Sequence, residues 1–415
     1  MPLPAGFIDE MRLLLGEETD EFLAAIEKSP VVSVRLNPRK PGAEFPEGRG
    51  VRWCSGGVYL PERPSFTLDP LLHAGAYYVQ DASSMIYYEV VRRLLQLDGN
   101  PERVSVLDLC AAPGGKTTAM IDALPDGSKV VANEYVGKRA AILRENISRW
   151  GYPDVTVTNR DSASFARDDG GFDIVAVDAP CSGEGMMRKD EKAREQWSPQ
   201  LVADCSKLQR EILGNAVEAV RPGGFLIYST CTFNREENEE NVRYAAEELG
   251  LAPIDLSFPE EWGIPRGIET PYPAYRFMPH RTEGEGLFLA VFRKPLQEGE
   301  EIEEEKPKIS REIRRRVSVG KGKDKKELSP KGKQKEEVPE IEDILSVDFD
   351  RTRFPIVELT KEQSVNYLRR EALVLPEGTP KGVVIVAYRG LPLGAAKNIG
   401  SRANNLYPKN RRILK

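Results

Sequence analysis

Histidine is nearly absent from this chain: His73 and His280 are the only two in 415 residues. A nucleophile activated by an imidazole base, as in many proteases, has little to draw on. Cysteine is sparse as well. The five, Cys54, Cys110, Cys181, Cys205 and Cys231, are odd in number, widely spaced and never paired as CxxC. A disulfide framework and a zinc site are both poor readings, so no metal site is expected. Reduced thiols suit a cytoplasmic protein. No apolar run reaches the length of about 18 residues that a membrane span needs. The opening MPLPAGFIDEMRLLLGEE carries acids early and lacks the continuous apolar core of a secretory signal. Acidic residues are missing from residues 381–415, which hold Lys381, Arg389, Lys397, Arg402, Lys409, Arg411, Arg412 and Lys415. On a chain of net charge −6, that basic end suggests a local surface facing a polyanion.

What is present is enough to bury a real core: 40% of the residues are hydrophobic, and the length calls for two or three domains. Residues 1–75 read as a small α+β unit, with a helical pattern over residues 7–26 and the strand-like VVSVRLNP. Residues 76–297 alternate strands with helices. RVSVLDLCA, KVVANE, VTVTNRD, FDIVAVDAP and GGFLIYSTC read as strands, and GGKTTAMIDAL, GKRAAILRENISRWG and CSKLQREILGNAVEAV as helices. That alternation predicts an α/β fold with a doubly wound, mostly parallel sheet, whose ligands sit at the carboxyl ends of the strands. Residues 298–340 hold 12 acidic and 13 basic side chains in 43 positions. They cannot bury enough apolar surface to offset ordering and read as a flexible linker. Residues 341–415, including SVNYLRREALVL and KGVVIVAYRGLPLGAAKN, regain strand-like character and read as a second small domain.

The chemistry concentrates at the predicted strand ends. The turn formed by Cys110, Ala111, Ala112, Pro113, Gly114, Gly115 and Lys116 lets the backbone approach a ligand and opens a helix N-terminus. It matches neither dinucleotide nor triphosphate fingerprints. Glu134, Asp161 and Asp178 end the next strands, with Arg139 nearby. Any one acid alone also reads as a cap on the element that follows. Together they describe a pocket for an adenosine-bearing cofactor with little phosphate, and S-adenosylmethionine fits. Cys181 sits on a turn after Pro180, and Cys231 heads a polar loop after a strand. If the sheet is doubly wound, both thiols lie beside the same crevice. Cys110 and Cys205 read instead as small buried hydrophobes.

The segments CAAPGGKT, DAPCSGEG and YSTCTFNREENE, in that order, resemble the RNA cytosine-5 methyltransferases of the Nop/Sun family. YYVQDASSM is similar to the stretch leading into that family's catalytic domain. GLPLGAAKNIGSRANNLYPKNRRI resembles the C-terminal module of the bacterial RsmF-type enzymes, which act on small-subunit ribosomal RNA. The resemblance implies an N-terminal RNA-binding unit, a Rossmann-like methyltransferase domain and a PUA-like RNA-binding domain. It implies a monomer acting on ribosomal RNA or the ribosomal particle. It further implies that Cys231 is the nucleophile, that Cys181 assists proton removal and enzyme release, and that Asp178 bonds the pyrimidine edge. Lys189 then orients the base or a phosphate, or is only a solvated surface lysine. The target base must leave its stack to be reached. A transfer RNA methyltransferase and a non-catalytic assembly factor stay open as alternatives. The paired cysteines argue against the second. They argue equally against an amine or protein methyltransferase, which would need neither thiol.

Overall fold

The computed structural model describes residues 1–165, 171–296 and 337–414. Most of the expected linker, residues 298–340, lies outside the described residues.

The N-terminal helical pattern is broken in two. Helix α1 (Ala5–Leu15) stops at Gly16, whose φ of 54° an L side chain resists, and α2 (Thr19–Ile26) restarts after one tight turn. Thr19 Oγ1 fastens that turn by donating to Gly16 O at 2.7 Å. The apolar face carrying Phe7, Met11, Phe22 and Ile26 packs on Trp197, Phe233 and Met278 of the central domain. The strands β1 (Val32–Leu36), β2 (Arg49–Val51), β3 (Cys54–Leu60) and β4 (Tyr77–Val79) form an antiparallel sheet in the order β2-β3-β1-β4. That sheet therefore runs past residue 75, and its core is shared with the C-terminal domain rather than with α1 and α2. Short α3 (Pro70–Ala74) is capped by Asp69, which accepts from Leu71 N at 3.0 Å.

The central sheet contains β5 (Ser105–Asp108), β6 (Lys129–Asn133), β7 (Val155–Thr158), β8 (Phe172–Asp178), β9 (Val220–Thr230), β10 (Ala252–Pro253), β11 (Tyr275–Phe277) and β12 (Leu287–Arg293). Its order is β10-β12-β9-β8-β5-β6-β7, with β11 paired to β12. The stretch from β9 to β7 is parallel, and β12 runs antiparallel to β9. Alternate residues of one strand feed opposite layers. Val106 joins a core with α4 (Ile86–Leu97), α5 (Gly115–Ala123) and α6 (Gly137–Trp150). Leu107 joins the other, with α8 (Pro199–Ala219) and α9 (Glu239–Glu247). Between them in the chain, α7 (Glu191–Gln196) is a short connector. The doubly wound expectation is met. From β5 the chain moves outward through β6 to β7, then returns to β8 on the other side. The crevice at that switch point is the natural ligand site.

One buried charge links the first sheet to this crevice. Arg35, on β1, is 1% exposed. It pairs with Asp122, donates to Gln80 Oε1 at 2.9 Å and to Thr118 Oγ1 at 2.6 Å, and lies over the Trp150 ring. A buried arginine is tolerated only when paired and hydrogen-bonded in this way, and here it fixes α5 behind the glycine turn.

In the C-terminal domain, α10 (Ile341–Leu345) and α11 (Lys361–Leu368) accompany β13 (Ile356–Glu358), β14 (Gly382–Tyr388), β15 (Leu391–Asn398) and β16 (Ala403–Asn405), ordered β13-β14-β15-β16. The segment SVNYLRREALVL, expected to be strand-like, instead supplies most of α11. A reciprocal cap between Thr360 and Gln363 starts the helix, and Ser364, Tyr367 and Leu368 form its buried stripe. Lys40 locks three units together. Its ammonium donates to Ala74 O at 3.1 Å, Arg149 O at 2.7 Å and Leu345 O at 2.6 Å, carbonyls at the ends of α3, α6 and α10.

Candidate active site

The turn after β5 is built by short sheet-to-turn bonds. Leu109 N donates to Ala176 O at 2.9 Å and Ala111 N to Asn133 O at 2.8 Å. Gly114 takes φ 109°, and a Cβ there would stand 3.2 Å from Leu143 Cδ1, so only glycine brings the turn this close to α6. Gly115 then opens α5. Ala112 O accepts from Arg139 Nη2 at 2.9 Å, which holds the turn against the start of α6.

The three acids differ in position. Asp178 ends β8 and Glu134 follows β6 directly. Asp161 stands three residues beyond β7, on a loop, where it is exposed and accepts from Ala163 N at 2.9 Å. Glu134 is buried; it accepts from Val136 N at 2.8 Å and pairs with Arg139 at 3.2 Å. At the floor, burial pushes the Asp108 carboxyl up to about 7 against a 2.6 Å bond from Thr117 Oγ1. Burial also raises the Cys110 thiol, which keeps it protonated. Cys110 and Cys205 are each only partly buried, which corrects the expectation of core thiols.

The loops after β8 and β9 bring Cys181 and Cys231 together, Sγ to Sγ at 3.3 Å, both as free thiols. Adjacent parallel strands with Asp178 opposite Ser229 in register account for the approach. Gly185 makes it possible for the loop to close, because a Cβ there would lie 2.9 Å from Cys231 O. The Cys181 S–H bond pulls Cys231 below the ordinary thiol range, and Lys116 helps, while burial, Asp178 and Glu237 oppose. Cys181 is pushed well above that range by the same bond and by burial. Lys116 Nζ pairs with Asp178 Oδ2 at 2.7 Å. Ser229 Oγ donates to Asp178 Oδ1 at 2.7 Å and lies 2.8 Å from Tyr87 OH.

Several of these groups escaped the sequence reading. Lys116 read as a cofactor residue; it pairs with Asp178, and its charge also favours the Cys231 thiolate. Lys189 is neither purely solvated nor free, since it pairs with buried Glu285 at 3.4 Å. Behind the thiols, Gln209, Asn234 and Glu237 form a buried polar network. The run NREENE resembles the family's motif, but nothing in its sequence tells which of its acids and amides turn inward. Among the described residues no cluster of His, Cys, Asp or Glu could hold a metal ion, and no helix is long and apolar enough to cross a membrane.

Three family profiles match. Residues 94–293 match 16S rRNA methyltransferase RsmB/F, residues 3–82 the N-terminal domain of 16S rRNA methyltransferase RsmF, and residues 354–413 the methyltransferase RsmF PUA domain. The ribosomal RNA small subunit methyltransferase F of Klebsiella pneumoniae strain 342 is 31% identical over 98% of this chain and 96% of its own. That of Salmonella agona strain SL483 is 36% identical over 70% of this chain, an alignment spanning 63% of that relative's length. A methyltransferase homolog protein from Pyrococcus horikoshii has a TM-score of 0.59 at 27% identity, covering 69% of this chain and 94% of that one. NSun6 from the same organism, solved with SFG, has a TM-score of 0.59 over 71% of this chain and 99% of that one; at 20% identity it speaks for the fold alone.

Proposed function

The chain belongs to the RsmB/F family of 16S rRNA methyltransferases, S-adenosylmethionine-dependent enzymes acting on ribosomal RNA, and from that premise we propose that it methylates carbon 5 of a cytosine in small-subunit ribosomal RNA through Cys231. The observation that carries the reading is the 3.3 Å approach of Cys181 and Cys231 beside the Lys116–Asp178 pair. The PUA match at residues 354–413 gives the chain an RNA-binding module. The proposal includes a cytoplasmic monomer that meets its RNA free or in the ribosomal particle.

The residues at the crevice fit S-adenosylmethionine. Glu134 offers a buried carboxylate suited to a ribose diol, the Cys110–Lys116 turn and the α5 N-terminus offer backbone N–H groups, and Asp161 stands at the open side. Bound there, the cofactor supplies an electrophilic methyl group. The chain's own residues do the rest. Carbon 5 of cytosine is a poor nucleophile. The Cys231 thiolate, favoured by Cys181 and Lys116, adds to carbon 6, and the ring electrons become available at carbon 5. Asp178, held by Lys116 and Ser229, faces the pyrimidine edge. After carbon 5 has gained its methyl, a base must take the proton that remains there. Cys181, the weaker acid of the pair, first gives its own proton to solvent, the one proton the overall reaction releases, and as thiolate is then the stronger base. It removes the carbon 5 proton, the carbon 6–sulfur bond breaks, and Cys231 leaves as thiolate.

Two variants test this. Cys231→Ala is expected to form no covalent RNA adduct and no product. Cys181→Ala is expected to attack and transfer methyl, then stall, so that a denaturant-resistant protein–RNA band accumulates. A stable adduct with Cys231→Ala instead reverses the roles. Full activity in both variants sinks the covalent mechanism.

A further inference from the structure

We propose that Glu237 is a positioning residue for the two-thiol chemistry: its carboxylate ties the chain on both sides of Cys181 to the chain after Cys231, and its charge keeps the proton shared by the thiols on Cys181. The inference rests on the two-cysteine reading above.

The geometry is specific. Glu237 Oε2 accepts from Ser182 N at 3.0 Å, directly after Cys181, and from Gln209 Nε2 at 2.6 Å. Gln209 Nε2 also donates to Pro180 O at 2.9 Å, directly before Cys181. The chain on either side of that thiol therefore hangs from the Gln209–Glu237 pair. Glu237 Oε1 accepts from Asn234 Nδ2 at 2.8 Å, and Asn234 Oδ1 accepts in return from Glu237 N at 2.9 Å. The same Asn234 amide lies 3.0 Å from Thr232 Oγ1, directly after Cys231, and Thr232 Oγ1 lies 2.8 Å from Ser182 Oγ. One carboxylate and one amide thus span the two loops. Glu237, Asn234 and Gln209 are each fully buried, so solvent cannot replace any of these bonds.

The charge is the informative part. A buried carboxylate costs free energy even when it is fully hydrogen-bonded. Burial raises the pKa of Glu237, its neutral donors Ser182, Asn234 and Gln209 oppose that rise, and as a carboxylate it opposes ionisation of both thiols. A group needed only to favour thiolate would not be an acid. A group needed only as a strut could be a glutamine. The acid is bonded to the residue after Cys181, whereas Lys116, paired with Asp178, acts on Cys231. Across the 3.3 Å gap the Glu237 carboxylate and the Lys116 ammonium favour the proton on Cys181, against the opposing charge of Asp178 beside Cys231. Cys181 keeps it and points it at Cys231.

The test is residue-resolved alkylation of the full-length protein with iodoacetamide over neutral to alkaline pH, read by mass spectrometry. In the native protein Cys231 is expected to react ahead of Cys181. In Glu237→Gln the preference is expected to fall about tenfold, the equivalent of one pKa unit between the thiols, with S-adenosylmethionine affinity unmoved. Glu237→Asp, which keeps the charge, is expected to restore part of the preference. An unchanged ratio in folded, cofactor-binding Glu237→Gln overturns the proposal. If that variant does not fold, Gln209→Met decides, because it removes one donor to Glu237 and frees Pro180 O; an unchanged ratio there overturns the proposal equally. The two-cysteine reading fails separately, through methyl transfer that survives Cys231→Ala.

Discussion

A thiol ordinarily keeps its proton at neutral pH, so a nucleophilic Cys231 needs neighbours that favour the thiolate. The structure supplies two, the Cys181 S–H and the Lys116 ammonium. Removing Lys116 should raise the Cys231 pKa, since a cause that lowers it is lost. For Lys116→Gln the acidic limb of the pH profile of kcat/KM is expected to move to higher pH, with the largest loss of activity at the low end. A limb that stays put would remove Lys116 from the activation of the thiol. Cofactor affinity is a separate readout. Loss of one charge-assisted hydrogen bond costs roughly 1.5–3 kcal/mol, about ten- to a hundredfold in affinity. Glu134→Ala is expected to pay it in full by calorimetry, and Asp161→Ala less, because Asp161 is exposed and already caps its own turn. DAPCSGEG and YSTC were legible because each thiol and its turn residues are contiguous in sequence. Lys116 and Asp178 lie 62 positions apart, and Ser182 and Glu237 lie 55 apart. Pairs of that kind appear only when neighbouring strands are laid side by side, which is why the activating cation and the buried clamp were missed.

Elements were read where one period dominated and misread where two signals competed. The βα alternation over residues 105–230 was legible, because short apolar strands buried on both faces and 3.6-period helices leave distinct patterns. The helical pattern over residues 7–26 hid a break at Gly16, since its apolar positions stay on one side through the turn. SVNYLRREALVL looked strand-like from Val365, Tyr367 and the later Leu-Val-Leu, yet the cap at Thr360 and Gln363 decides for helix. Short α3 gives this scale its prediction. His73 is buried at its end, Nε2 bonded to Thr67 O at 2.9 Å, and burial pushes its pKa down to about 4. The unfolded chain takes up a proton near pH 6.5, and the folded chain does not until about 4. Stability present above pH 6.5 is therefore lost as the pH falls across that window, by at most about 3 kcal/mol. Comparing urea unfolding of the native protein and His73→Gln should show a difference that shrinks steadily between those limits. A difference independent of pH would mean that the imidazole does not stay neutral in the fold.

At the scale of the whole molecule, the C-terminal domain is joined to the rest by polar groups as well as by core. Lys40 satisfies three helix-end carbonyls at once, and Val347 N adds a 3.0 Å bond to Gly151 O. Lys40→Met would leave those carbonyls buried without donors, at roughly 1–3 kcal/mol each. Protease sensitivity of the C-terminal domain is the expected sign. The described basic residues of the chain end divide in the same way between joint and surface. Arg411 is buried and spent on Glu342 at 2.6 Å, so it belongs to the joint, while Arg389 and Arg402 are exposed. Sequence counted them alike because charge patterning carries no burial. RNA binding can tell them apart. Each phosphate contact to a single strand contributes about 0.7 to the slope of log affinity against log salt. The double variant Arg389→Gln with Arg402→Gln should therefore weaken RNA binding and flatten that slope by about 1.4. Arg411→Gln should lower the melting temperature and leave the slope where it was. If Arg411→Gln flattens the slope and the double variant does not, the RNA approaches from another face, and the basic end serves only to hold the domain in place.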